Sequence, residues 1–136
     1  MKELKELLPS SSKQKIISVS VDTGSTQEKV TEALAPAVAD MGSVDVLVNC
    51  AGISIAGEFD NLDPQEFERM LRVNVLGSIY PTRAVIGGMK ANCPHKGGGR
   101  IIFVSSQVAQ VAIHGYTAYA GEKYVASALF CSVMCN

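Results

Sequence analysis

Val44-Asp-Val-Leu-Val-Asn-Cys-Ala-Gly52 is a valine-rich apolar run that ends at two small residues, and Arg100-Ile-Ile-Phe-Val104 is a second apolar run ahead of Ser105-Ser106. Short runs this continuously apolar read as strands buried on both faces, the pattern of a parallel sheet. Residues 16–21, Ile-Ile-Ser-Val-Ser-Val, read as a third strand. Helical spacing fills the intervals, over 27–40, over a long stretch 64–89 that has room to bend, and over 116–134. Asp63-Pro64 suits the start of the long helix, because aspartate accepts from free amides and proline fits the first turn. Residues 92–99, rich in glycine with Lys96 among them, read as a loop. Strand and helix alternate without repeats, so the expected fold is α/β: one domain over 1–136, with helices flanking a parallel sheet.

The chemistry concentrates in Tyr119-Ala-Gly-Glu-Lys123, with Ser106 thirteen residues upstream. On a helix, an i,i+4 offset puts Tyr119 and Lys123 on one face. A free phenol titrates near ~10, and lowering it by roughly three units takes about 4 kcal/mol. An ammonium ~4 Å from the phenol oxygen supplies roughly that amount at an effective dielectric of ~20. Lys123 can therefore poise Tyr119 as a general acid/base, with Ser106 as hydroxyl donor to the same reacting oxygen. The alternative for Tyr119 is a ring capping the core.

These pieces occur in a fixed order. Asn49-Cys-Ala-Gly52 follows one strand, Asn74 lies in Val73-Asn-Val-Leu-Gly77, Ser105-Ser106 follow the next strand, and Tyr119 and Lys123 come last. In that order and spacing the chain resembles the short-chain dehydrogenase/reductase family. The strings Phe67-Glu-Arg-Met70, Asn74-Val-Leu-Gly-Ser-Ile-Tyr-Pro81, Arg83-Ala-Val-Ile86, Phe103-Val-Ser-Ser-Gln107 and Gly115-Tyr-Thr-Ala-Tyr119 are most similar to the branch that reduces 3-ketosphinganine in sphingolipid synthesis. The resemblance runs from about residue 16 to 123.

It implies a partial Rossmann-like, doubly wound parallel sheet made of the third to fifth strands of the family fold. It also implies NADPH-dependent reduction of a ketone to an alcohol, with a lipid ketone as substrate. Asp22 matches the acid that contacts the adenine amino group, or it is a turn residue. Asn49, Ala51 and Gly52 would line the cofactor, where small residues let backbone approach the ribose, or they form a plain strand-ending turn. Asn74 would hold a water of the proton relay; the alternative is a solvated helix position. Ser106 would hydrogen-bond the substrate carbonyl, with Ser105 the adjacent candidate. Tyr119 would deliver the proton while Lys123 tunes it and binds the nicotinamide ribose. Cys50 stands where many relatives have asparagine, and no thiol chemistry is expected of it.

Glu122 departs from the small residue usual there. It either competes for the charge of Lys123 or points outward, and its neighbouring helix position favours the second. The family's glycine-rich turn for the pyrophosphate is not found ahead of residue 16, and the text after Lys123 leaves the family pattern, so the expectation is a fragment. In the order 3-2-1-4-5-6, residues 16–21 then lack their native neighbours, and either pair abnormally with 44–48 or fray. The chain is accordingly expected to be poorly stable or to associate. The family's subunit interface commonly uses the long helix and the helix of Tyr119. A non-catalytic fragment that pairs with a full-length relative through these helices is therefore the alternative function, and a homo-oligomer or such a pairing is the partner expectation.

Composition excludes other classes. Of the residues, 47 % are apolar and 18 % charged, with a net charge of −1, as in a soluble, folded intracellular chain. Lysines and arginines are scattered and balanced, so no nucleic-acid footprint emerges. The charged start is not an apolar leader, and no run of about 18 apolar residues offers a membrane segment. By resemblance the location is the cytoplasmic face of the endoplasmic reticulum. Cys50, Cys93, Cys131 and Cys135 lack the spacing of a disulfide framework and read as reduced thiols. Neither Cys93-Pro-His95 nor Cys131-x-x-x-Cys135 supplies four close ligands, so no metal is expected.

Overall fold

Strands β1 (Val46–Asn49) and β2 (Arg100–Phe103) pair in parallel, Val46 opposite Arg100 and Asn49 opposite Phe103. The computed structural model describes residues 15–92 and 99–133. Side chains alternate across a strand, so this register places Leu47, Asn49, Ile101 and Phe103 on one face and Val46, Val48 and Ile102 on the other. The first face is covered: Ile101 is buried with Val85 and Met89, and Val38, Leu47 and Phe103 pack around them. Val46, Val48 and Ile102 remain exposed. The expectation of strands buried on both faces thus holds on one face of the described sheet. An apolar groove lined by Leu34, Val38, Val46, Val48, Pro81 and Val85 runs beside β1.

A parallel pair needs a crossover, and the helical run 64–92 provides it. Helix α1 (Gln27–Met41) begins with Thr26, whose side chain accepts from the Lys29 amide, and ends at Gly42 with φ of 75°. Helix α2 (Pro64–Leu71) begins where Asp63 accepts from the Gln65 amide at 2.9 Å. The long helix expected over 64–89 is one continuous run with a change of hydrogen-bond register, because a π turn (Arg72–Leu76) separates α2 from α3 (Gly77–Asn92). Pro81 contributes to this break, since it has no amide to offer either Leu76 or Gly77. α1 packs on α3, while α4 (Thr117–Val133) packs on β2 and the π turn.

Residues 16–21 form no strand. Their β-branched side chains favour extension, but no neighbouring edge supplies ladder bonds, and an unpaired strand gains nothing from its propensity. They stay unpaired rather than docking on β1. The loop expected over 92–99 lies almost wholly outside the described residues.

Gly99 sits where β2 begins. A Cβ there would meet Met89 Cε at 2.5 Å, Met89 Cβ at 3.1 Å and the Asp45 carbonyl oxygen at 3.1 Å. That same carbonyl accepts the Arg100 amide at 2.8 Å, the bond that starts the ladder. Gly99→Ala is expected to destabilise by about 1–3 kcal/mol through overpacking. A chemical-denaturation midpoint indistinguishable from wild type would count against it.

Candidate active site

Helix α4 buries Ala118, Glu122 and Ala126 at four-residue spacing, with Lys123 beside them. Two alanines let α4 approach the π turn closely, and the polar side chains between them must find partners there. Lys123 is only 5 % exposed. Its ammonium donates to the Val104 carbonyl at 3.0 Å, just past β2, and stands 5.7 Å from the centre of the Tyr119 ring. A buried ammonium is thereby held between a strand end and an aromatic face, as the i,i+4 offset predicts. Tyr119 is half-buried, and its ring meets that of Tyr116 edge-on at 6.2 Å.

The two serines after β2 divide their work. Ser105 Oγ donates to the Lys123 carbonyl at 2.9 Å and lies 2.8 Å from Ser127 Oγ, so it ties the strand end to α4. Ser106 Oγ accepts the Val108 amide at 3.4 Å, capping a short 3-10 turn (Gln107–Ala109). Its hydroxyl proton has no acceptor among the described residues.

Asn74 is 1 % exposed, which removes the reading of a solvated helix position. Its Oδ1 accepts the Ile53 amide at 2.8 Å, and its Nδ2 donates to the Ile53 carbonyl at 2.9 Å and to Glu122 Oε2 at 2.7 Å. The π turn therefore fastens the loop after β1 to helix α4. Asn49 points inward and donates to Thr82 Oγ1 at 3.0 Å, tying β1 to α3. Ala51 and Gly52 are exposed. A Cβ on Gly52 would lie 3.2 Å from Asn74 Oδ1 and 3.3 Å from Lys123 Nζ, so glycine is what allows this backbone beside the lysine. Asp22 accepts the Gly24 amide at 3.0 Å in a turn leading to α1, and among the described residues no hydrogen bond joins it to the rest of the set.

Glu122 corrects the sequence reading. It points inward and is 2 % exposed, with Oε2 on Asn74 and Oε1 lacking a hydrogen-bond partner among the described residues. Neighbouring positions on a helix diverge by about 100°, but both faces of α4 are covered here, by β2 and by the π turn. The usable signal was the Ala118–Glu122–Ala126 spacing, which marks a closely packed face. Burial pushes the Glu122 carboxyl above the usual carboxylate range, against the Asn74 hydrogen bond and the charge of Lys123, which pull it back.

A raised carboxyl holds its proton more tightly in the folded chain than in the unfolded one. Its contribution to stability is fully present below the unfolded value and is lost as pH rises through the folded value. Stability at acid to neutral pH is therefore expected to fall across that window, and Glu122→Gln to flatten the fall. Denaturation midpoints measured against pH check this, and parallel slopes would reject it.

Among the described residues no three His, Cys, Asp or Glu side chains cluster to hold a metal. Cys50 is an exposed free thiol. Cys93, His95, Cys135 and the side chain of Cys131 lie outside the described residues. No helix among those described is long and apolar enough to cross a membrane.

The family model described as short chain dehydrogenase matches residues 1–135. A 3-ketodihydrosphingosine reductase from Bos taurus is 44 % identical over 112 residues, covering 82 % of this chain and 32 % of the relative. A 3-dehydrosphinganine reductase from Danio rerio is 45 % identical with the same coverage. The chain spans about a third of the length of these curated relatives. Among solved structures, an alcohol dehydrogenase from the archaeon Thermococcus sibiricus, complexed with 5-hydroxy-NADP, superposes with a TM-score of 0.74 at 27 % identity. That match covers 85 % of this chain and 46 % of the other.

Proposed function

Because the chain belongs to the short chain dehydrogenase family, we propose that its site serves NADPH-dependent reduction of a ketone to an alcohol, with 3-ketosphinganine as substrate. The observation that carries this reading is the buried Lys123 ammonium, held by Val104 against the Tyr119 ring, beside a serine with a hydroxyl proton to give. The substrate assignment draws on the relatives named 3-ketodihydrosphingosine and 3-dehydrosphinganine reductase.

The residues fit the nicotinamide end of the cofactor. Ala51 and Gly52 are exposed, and Gly52 has no Cβ to stand against Lys123, which leaves the ribose side open. Lys123 would bind the ribose hydroxyls, Asn49 would hold the strand end in place from behind, and Asp22 would accept from the adenine amino group. When bound, NADPH supplies the hydride. Ser106 Oγ donates to the substrate oxygen and stabilises the charge that develops there. Tyr119 gives its phenolic proton to that oxygen, and the nearby Lys123 ammonium stabilises the phenolate left behind. Ser105, engaged with the α4 backbone, is less available than Ser106 to the carbonyl. Asn74 holds the loop that carries Gly52 and would support a water of the relay to Lys123.

The test is calorimetric titration of the purified chain with NADPH, together with the absorbance decay of NADPH on adding 3-ketosphinganine. Micromolar binding with turnover supports the reading, and no binding sinks it for this chain. A second reading, pairing with a full-length relative through the outer face of α4, draws on the exposed Tyr124 and Val125. Sedimentation of an equimolar mixture distinguishes it.

A further inference from the structure

Glu122 is a buried carboxyl group that the proposed chemistry leaves unused. Its Oε2 takes the Asn74 amide at 2.7 Å, while Oε1 is buried without a hydrogen-bond partner among the described residues. Asn74 passes this bond on, because the Oδ1 of the same amide accepts the Ile53 N–H and its Nδ2 also holds the Ile53 carbonyl. Ile53 follows Gly52, the glycine whose missing Cβ makes room for Lys123 Nζ and Asn74 Oδ1. One chain of hydrogen bonds thus runs from Glu122 on α4, through the π turn, to the backbone lying against Lys123.

Such a chain responds to charge. A carboxylate accepts a shorter, stronger bond than a neutral acid, and an amide whose N–H is drawn harder becomes the better acceptor at its oxygen. The groups that bear on Glu122 are few. Lys123 is the charge that acts on it, and the side chain it meets on the π turn is the neutral Asn74. Arg72 on the π turn, Glu68 and Arg69 on α2, and Arg100 on β2 are exposed, Glu66 is half-exposed and paired with Arg69, and the 3-10 turn carries no charge.

We propose that Glu122 is a positioning residue. Through Asn74, the protonation state of its carboxyl sets how firmly the Gly52–Ile53 backbone is held against α4, and with it the affinity of the site for the nicotinamide ribose. Only the last step rests on the function proposed above. A packing role alone would need the volume of Glu122 and not its charge.

The experiment uses the full ¹⁵N-labelled chain, with the Ile53 amide resonance followed against pH. In wild type the resonance moves downfield as Glu122 deprotonates, in one step above the ordinary glutamate range. In Glu122→Gln, which keeps an oxygen for Asn74, the step is absent. In Glu122→Ala, calorimetry reads NADPH affinity about tenfold weaker, the effect of one lost strong hydrogen bond, and Glu122→Gln recovers most of it without the pH dependence seen in wild type. An Ile53 resonance flat across that range in wild type overturns the proposal, and so does a step that persists in Glu122→Gln. Both readings survive a failure of the alanine variant to fold. If no variant and no wild-type sample binds NADPH while the Ile53 step behaves as stated, the clasp stands and the cofactor reading falls.

Discussion

Tyr119→Phe is expected to lower NADPH-dependent ketone turnover by about 10³-fold, within the range that positioned general acids contribute, while leaving NADPH affinity within about twofold. The substitution removes one hydroxyl and keeps the ring. The edge-on contact with Tyr116 and the approach of Lys123 to the ring face both involve the aromatic body, so the helix and its lysine have no cause to move. A loss of about 10³ corresponds to roughly 4 kcal/mol of transition-state stabilisation. It is expected in kcat and kcat/KM together, because the proton is delivered only as the carbonyl oxygen gains charge. Rates of NADPH oxidation with and without 3-ketosphinganine, beside a calorimetric titration, read both halves. Turnover within tenfold of wild type would assign the proton to another group. A Lys123→Met variant should differ in kind: it strips the Val104 carbonyl of its buried partner and takes a cation from the ribose side, so affinity and stability fall with rate.

The sequence carried β1, β2 and the pairing of Tyr119 with Lys123 because both are local patterns. The apolar runs 46–48 and 101–104 need no partner to be recognised, and the i,i+4 spacing of Tyr119 and Lys123 fixes a shared helix face whatever the helix packs against. What the sequence could not carry depends on neighbours. Residues 16–21 have strand composition, but a strand is completed by the edge it pairs with, and they pair with neither edge of the described sheet. The π turn is a register change set by Pro81 and by the inward Asn74, invisible to a 3.6-residue period. Glu122 was misread because a position next to Lys123 on a helix suggests a different, outward face, whereas burial here follows from two alanines four residues away and an amide on the π turn. Ser105 and Ser106 were indistinguishable as text. They separate only when Ser127, one turn beyond Lys123, engages the first of them.

Asn74→Ala is expected to cost more stability than any other single change at the site, about 3–4 kcal/mol. The asparagine makes three side-chain hydrogen bonds across three segments, to both backbone groups of Ile53 and to Glu122. Each net bond is worth about 1 kcal/mol, and a partner left buried and unpaired adds a desolvation penalty of similar or larger size. The two Ile53 groups are half-buried, so water recovers part of their loss. Glu122 is not so placed: among the described residues its Oε1 already lacks a partner, and without Asn74 neither oxygen would have one there. The carboxyl would then be driven further toward its neutral form, and the fall of stability with rising pH should steepen. A loss of that size is a large fraction of the stability of a domain this small and should lower the thermal midpoint by about 10 °C. Asn74→Asp should do worse than alanine near neutral pH, since it trades a donor to Glu122 for a second carboxylate. A thermodynamic cycle isolates the contact: with Glu122→Ala already in place, Asn74→Ala should cost clearly less than in wild type, because the orphaned carboxyl is gone. Additive losses in that cycle, or an alanine variant melting within about 2 °C of wild type, would mean that the π turn and α4 hold together by packing alone.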